Sequence, residues 1–214
     1  MKPFALIFSV IPFAIVFSLG YRNYIIALIC GCIAAWIAVP IEFLISRALD
    51  YSNIGSYVLF NAFLAAAIPE EILKFFIITS TKIKIKNPKE IVILMMLTGL
   101  GFGTLENIFY ISHFPESGNE LMVIVFMVTR FLLPLMMHLL CGIISSSGIL
   151  FQSFNRIVSL TLAILFHGLY DAILMKELHV VSDQIALIIL IIGAGISTII
   201  LRLATSNSVR ITAP

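Results

Sequence analysis

Apolar residues along the chain gather into seven long blocks that are separated by short polar stretches. A helix needs about 20 predominantly apolar residues to cross a hydrocarbon core of roughly 30 Å, and the blocks approach or exceed that length. The pattern therefore predicts about seven transmembrane helices. Their approximate bounds are Phe4–Leu19, Tyr24–Ile45, Tyr57–Thr79, Ile91–Ile111, Leu121–Ser146, Ile157–Met175 and Gln184–Ala204.

The first block is short and has features of a signal peptide, with Lys2 ahead of it and residues 18–20 (SLG) behind it. The cleavage boundary is weak and further spans follow directly, which favours a retained helix. The connecting stretches are too short for a second folded unit. We therefore expect an all-α, polytopic transmembrane helical bundle that forms a single integral membrane domain over residues 1–214.

The composition agrees with this interpretation, because the chain is 61% hydrophobic and only 11% charged. Soluble domains average about 45–50% apolar and roughly a quarter charged residues. A formal net charge of +2 gives no basic surface for nucleic acid, so we expect no nucleic-acid partner. The cysteines Cys30, Cys32 and Cys141 lie within apolar blocks and are expected to be buried free thiols.

Lysines and arginines in the loops predict the orientation, since cytoplasmic loops carry an excess of them. The strongest marker is the loop with Lys82, Lys84, Lys86 and Lys89, which follows the third block. If this loop is cytoplasmic, the N-terminus lies outside and the C-terminus lies in the cytoplasm.

Ionisable and polar residues within the blocks are the informative positions. Each charged group near the bilayer centre costs at least ~2.5–3.5 kcal/mol, and such groups normally face the bundle interior and pair with one another. Rough counting along the helices puts several of them in one slab of the membrane. The set is Glu70, Glu71 and Lys74 in the third block, Glu106 and Asn107 in the fourth, His138 in the fifth, and His167 and Asp171 in the sixth.

Spacing adds to this picture, because residues three and four apart share a helix face. Glu70 and Glu71 both reach Lys74 in this way, and His167 reaches Asp171. Pro69 and Pro134 each remove a backbone hydrogen bond near these groups, and such breaks occur where the backbone is buried in protein or lines a wet cavity. The small residues of 98–103 (TGLGFG) allow close helix approach ahead of Glu106.

Four motifs in order resemble the PrsW family of bacterial intramembrane proteases. Residues 69–74 (PEEILK) match its EExxK motif, and residues 101–107 (GFGTLEN) resemble its second motif, which ends in Glu-Asn. His138 takes the place of the isolated histidine, and residues 167–171 (HGLYD) match HGxxD. The related Abi/CAAX prenyl endopeptidases use EExxxR, FxxxH and HxxxN, so the lysine and the Glu-Asn pair favour PrsW.

The resemblance implies a membrane peptidase of the bacterial cell membrane that cleaves a membrane-protein substrate within the lipid bilayer, with a catalytic core at about 57–175. In characterised members of the family the substrate is a single-span anti-sigma factor, and the cut is the first of its processing. The resemblance thus implies a single-span, anti-sigma-factor-like substrate.

Peptide hydrolysis needs a general base, and Glu70 or Glu71 is the candidate, with Glu70 preferred and Lys74 as the neighbouring cation. Two arrangements remain open for the other groups. Histidine plus carboxylate is a known catalytic zinc ligand set. A zinc ion held by Glu106, His138, His167 and Asp171 is therefore one of them. The other is a metal-free mechanism in which these groups and Asn107 hold water and the oxyanion directly.

Other classes of membrane protein also place acids and histidines in the bilayer. A proton-coupled transporter or channel is the main alternative, although no repeated halves are visible. A haem protein with His138 and His167 as axial ligands and a scaffold without chemistry are further alternatives. Glu42 and Arg130 are expected to be helix-end or ion-pair residues.

Overall fold

Helices account for the regular secondary structure of the part of the chain that the computed structural model describes. The backbone is described for residues 2–49, 54–81, 83, 87–113, 120–150, 156–175 and 179–211, and side chains for 10–49, 57–81, 83, 87–110, 132–150, 156–175 and 184–203. No strand occurs in these ranges, which confirms the all-α prediction. The helices are α1 (Lys2–Ser18), α2 (Arg22–Ala48), α3 (Ile54–Phe60), a π-helical segment (Asn61–Ala67), α4 (Ile68–Ser80), α5 (Pro88–His113), α6 (Glu120–Leu150), α7 (Arg156–Leu174) and α8 (His179–Ile211).

In the described part of the chain, five helices are long and apolar enough to cross a membrane, and the chain is a multi-pass membrane protein. These spans are Arg22–Ala48, Pro88–Tyr110, Leu132–Leu150, Arg156–Leu174 and Gln184–Leu203. They correspond to five of the seven predicted spans. The other two predicted spans are also helical, but α1 has 17 residues and the third is divided by the π-helical segment.

The π-helical segment lies directly ahead of the Glu-Glu pair. Its hydrogen-bond pattern is wider than that of an α-helix, since the backbone N–H of Ile68 donates to the carbonyl of Phe63, five residues back. Pro69 follows at once, and its ring would meet the carbonyl four residues earlier in a regular α-helix. The wider turn relieves that clash. Pro69 therefore deforms the helix without ending it, and π turns of this kind are frequent at functional sites.

Pro134 has a smaller effect than the sequence suggested. Helix α6 runs unbroken from Glu120 to Leu150 with Pro134 inside it. The proline is buried, and α6 packs against α5, α7 and α8 on its sides. Neighbouring helices can hold a membrane helix together across a proline, so His138 lies on a continuous helix.

Helix α5 lies at the centre of the bundle between α2 and α6, and glycines allow this close packing. A Cβ atom at Gly31 would overlap the carbonyl of Thr98, and one at Gly101 would overlap the carbonyl of Leu28. Backbones at this separation are typical of small-residue contacts in membrane proteins. The predicted close approach through residues 98–103 is therefore confirmed.

We expect Gly101→Ala to destabilise the protein, because the added methyl group would force α5 away from the α2 backbone. Overpacking of this kind typically costs about 1–3 kcal/mol. The control is Gly195→Ala on α8, where no atom lies within 4 Å of the added Cβ. Thermal unfolding in detergent measures both variants, and equal midpoints for the two would contradict the close packing of α2 on α5.

Candidate active site

Four helices bring the predicted site residues to one place in the bundle interior. Glu70, Glu71 and Lys74 come from α4, His138 from α6 and His167 from α7, and none of these five is more than 4% exposed. Two further carboxylates lie at the more open edge of the cluster. The side chain of Glu106 on α5 is 20% exposed, and that of Asp171 on α7 is 18% exposed.

Glu71 holds two of these groups with one oxygen. Its Oε1 lies 2.5 Å from Lys74 Nζ and 2.8 Å from His167 Nδ1. A carboxylate only accepts hydrogen bonds, so His167 donates through its Nδ1–H. The second ring nitrogen of His167 then points to the other side of the cluster. Glu71 is thus fully engaged in positioning its neighbours.

His138 is held with the other ring nitrogen protonated. Lys74 Nζ lies 3.0 Å from His138 Nδ1, and an ammonium group can only donate, so this ring nitrogen accepts. The proton therefore lies on Nε2, which is 2.6 Å from Glu106 Oε2. The two rings stand edge to face with centroids 5.1 Å apart. One carboxylate fixes each imidazole, a common arrangement around metal-ligating histidines.

Glu70 provides the unsatisfied group of the site. Its Oε2 atom is buried and has no hydrogen-bond partner. The same atom lies 3.7 Å from His167 Nε2 and 3.9 Å from both His138 Nδ1 and Lys74 Nζ. Asp171 Oδ2 lies 3.2 Å from His167 Nε2. Acceptor atoms from α4, α6 and α7 therefore face one another. Even if both ring nitrogens of His167 carried a proton, Nε2 would donate to the nearer Asp171 Oδ2, and Glu70 Oε2 would still lack a hydrogen-bond donor.

This geometry suits a metal ion. Among the described residues, Glu70, His138 and His167 form one group whose ligand atoms all lie within 4.8 Å of one another. Glu71, Cys141 and His167 form a second such group. The first is better suited, because Glu71 Oε1 already accepts two hydrogen bonds and the Cys141 thiol is 3.7 Å from the Ala163 carbonyl.

Glu106 occupies a different place from the one expected for a direct ligand. Its carboxylate lies against His138 Nε2, on the ring nitrogen that faces away from Glu70. Asn107 is buried one residue further along α5, a step of about 100° around the helix. Its proposed role toward an oxyanion stays a prediction.

Aromatic rings and glycines shape the walls of the site. Lys74 Nζ lies 4.4 Å above the centroid of the Phe102 ring, and His138 packs beside the same ring at 5.0 Å. A Cβ atom at Gly103 would come within 2.5 Å of the His138 ring. A Cβ atom at Gly168 would likewise overlap the ring of Phe63 from the π-helical segment. Both glycines therefore provide space for rings in or beside the site.

Glu42 on α2 is a site residue that sequence reasoning missed. Its carboxyl group lies close enough to Glu70, Glu106, His167 and Asp171 to interact with them electrostatically. The sequence predicted a helix-end or ion-pair residue; in the structure Glu42 lies within α2, beside the site. No motif includes it, and its position in an apolar block was the available signal. The side chain of Arg130 lies outside the described residues.

The bundle and this cluster define a membrane-embedded enzyme whose buried Glu and His side chains can hold a metal ion. Comparison with known protein families identifies the family of this enzyme. The family model described as PrsW family intramembrane metalloprotease matches residues 20–206, and the chain belongs to this family. Neither the curated proteins nor the solved structures give a match.

Family membership confirms the resemblance carried by the four motifs. The chain is a peptidase that acts on a membrane-protein substrate in the lipid bilayer. The family description favours this activity over the transporter, haem-protein and scaffold alternatives. It also agrees with the metal-binding potential of Glu70, His138 and His167.

We expect Gly103→Ala to impair cleavage while leaving the fold largely intact. The added methyl group would push the His138 imidazole out of position, and misplacement of a reacting group by about 1 Å can cost up to a hundredfold in rate. Cleavage rate and thermal midpoint are measured together, with Gly195→Ala as the control. Wild-type activity for Gly103→Ala would show that the ring position is not critical.

Proposed function

We propose that this protein hydrolyses a peptide bond of a single-span membrane protein at a metal site formed by Glu70, His138 and His167. The supporting observation is the buried Glu70 Oε2 atom, which lacks a donor and faces lone pairs of both imidazoles. A cation at this point would satisfy Glu70 and His167, and it would replace Lys74 as the partner of His138 Nδ1. Zinc is the ion of choice, since His and carboxylate oxygens are its usual catalytic ligands.

When bound, the zinc ion would polarise the scissile carbonyl and supply a nucleophilic hydroxide at neutral pH. The protein's own groups then have separate tasks. Glu71 and Glu106 orient His167 and His138, each through the ring nitrogen that faces away from Glu70. Lys74 neutralises the Glu71 carboxylate inside the bundle.

Asp171 is the carboxylate that we assign as the general base. Glu71 and Glu106 lie against the ring nitrogens that face away from Glu70, whereas Asp171 Oδ2 lies on the Glu70 side, at the partly exposed edge of the site and 3.2 Å from His167 Nε2. It can receive a proton there and pass it to the leaving amine. In a metal-free mechanism, Glu70 takes the role of base instead, as the sequence suggested, with Asn107 as an oxyanion donor.

The substrate and location follow from the family pattern and the loop charges. A single-span anti-sigma-factor-like protein is the proposed substrate, and the bacterial plasma membrane is the proposed location. The lysines of residues 82–89 favour a cytoplasmic position for that loop, and with it for the C-terminus. On this orientation Glu106 and Asp171 lie in the outer half of the membrane, so the cut would fall near the outer surface.

The test is cleavage of a tagged single-span substrate by the purified full-length protein in liposomes, with metal content measured on the same samples. Glu70→Gln and His167→Ala should each lose the bound metal and at least about a hundredfold of the cleavage rate. Ser146→Ala is the control, because this buried hydroxyl bonds to the Ile143 carbonyl of its own helix at 2.6 Å.

Two outcomes would overturn parts of the proposal separately. Full cleavage by wild-type protein that holds no metal and resists chelators would remove the metal and favour Glu70 as the base. Absence of cleavage of every single-span substrate, with metal bound normally, would remove the substrate class instead.

We expect Glu42 to position Glu70, and two substitutions separate this role from a purely structural one. Glu42→Gln keeps a polar group beside Glu70 and should retain most activity, whereas Glu42→Leu places an apolar group there and should reduce kcat about tenfold. Steady-state cleavage kinetics and thermal unfolding provide the readouts. Equal activity of the two variants would contradict a positioning role.

A further inference from the structure

A cavity bordered by charged and amide side chains lies at the end of the bundle remote from the active site. It has a volume of about 490 Å³ and lies where α2 and α5 begin. Its lining includes Arg22, Asn23, Asn87 and Lys89. Along α5, Lys89 is about 25 Å from Glu106 at ~1.5 Å per residue, so this cavity is separate from the catalytic cluster.

The lining carries positive charge that the protein does not neutralise. Within the described part of the chain, Arg22 and Lys89 have no ion-pair partner. Glu90 is the acid of the cavity, but it is only 9% exposed, and its Oε1 accepts a hydrogen bond from Asn23 Nδ2 at 3.0 Å. Two cations and one engaged carboxylate leave a net attraction for an anion.

The helix starts add to this attraction. Backbone N–H groups at helix N-termini carry partial positive charge and favour anions. Asn87 caps α5, since the Glu90 N–H donates to Asn87 Oδ1 at 3.0 Å. Helix α2 lacks such a cap, because Tyr21 at its N-cap position makes no side-chain hydrogen bond to it.

The position of the cavity indicates what kind of anion would reach it. Helices α2 and α5 are both spans, so their starts lie at a membrane surface. Tyr21 and Tyr24 pack at this edge with ring centroids 5.1 Å apart, and tyrosines are enriched at the level of lipid headgroups. The sequence at the start of α5 is rich in lysine, with Lys82, Lys84, Lys86 and Lys89, and the cytoplasmic leaflet that borders such sequences is rich in anionic lipid.

We propose that this cavity binds the phosphate-bearing headgroup of an anionic phospholipid. Arg22 and Lys89 pair with the phosphate, Asn23 and Asn87 lie beside it, and the tyrosines border the headgroup. A basic pocket between membrane helices is a physical pattern that suits such headgroups. The volume is within the range of small-molecule sites.

The test titrates purified full-length protein in detergent with phosphatidylglycerol or phosphatidylcholine and counts the retained lipid by native mass spectrometry. Phosphatidylglycerol should be retained and phosphatidylcholine should not. Arg22→Gln and Lys89→Gln should each weaken phosphatidylglycerol binding about fivefold. Glu90→Gln should strengthen it, because the amide can still accept from Asn23 while the negative charge is lost.

Arg156→Gln is the matched control. Arg156 also begins a span, α7, but it borders a largely apolar groove with Ile78, Ile91 and Ile149. Its removal should leave lipid retention unchanged. A loss equal to that of Arg22→Gln would show general surface charge and overturn the site. Equal retention of both lipids, or complete displacement of phosphatidylglycerol by inorganic phosphate alone, would also overturn it. Thermal unfolding confirms that each variant is folded.

Discussion

The mutual neutralisation of charged groups inside the bundle is the constraint on which the rest of the structure depends. In a low-dielectric interior an unpaired charge is very costly, whereas a paired and hydrogen-bonded one is tolerated. Glu71 meets this constraint by placing one oxygen between Lys74 and His167. The same contact fixes the protonated nitrogen of His167. The pairing that makes these buried charges tolerable therefore also fixes the orientation and the protonated nitrogen of the His167 imidazole.

Helix packing gives this arrangement its dimensions. Gly99 of α5 lies against the His138 carbonyl of α6, and Gly142 of α6 lies against the Met95 carbonyl of α5. With backbones this close, short side chains can bridge two helices, as Glu106 and His138 do at 2.6 Å. Larger residues at the contact would separate the two groups. The small residues therefore help to form the active site even though they take no part in its chemistry.

Much of the site could be predicted from the sequence because its chemistry is concentrated in residues that are costly in a membrane. Glu70, Glu71, Lys74, His138 and His167 stood out by that cost and by helical spacing, and the structure brings them together. The side of His138 on which Glu106 lies could not be predicted, since it depends on the tautomer and on the relative rotation of α5 and α6.

Glu42 and the path of the third predicted span could not be predicted from the sequence. Glu42 follows Pro40 near the end of a long apolar helix, and only the packing of α2 against α4 reveals its contact with Glu70. The apolar block of Tyr57–Thr79 predicted a span, and Pro69 indicated a disturbance. Whether that disturbance would be a kink, an end or a wider turn depends on the neighbouring helices, which periodicity does not describe.

The wide turn at Asn61–Ala67 has a consequence for how this protein can change over time. A π turn holds roughly one residue more than the α-helical path between the same two ends, so the extra residue is absorbed locally. If Asn61–Ala67 became a regular α-helix without a change in length, the helix downstream would turn by about 100°, the angle of one residue, and the Glu70 carboxylate would leave the bundle core. Loss of one residue together with the return to a regular helix would instead keep Glu70 facing the same neighbours. The position of the acid pair therefore depends on the wide turn and the residue count together, and not only on the identity of the two glutamates.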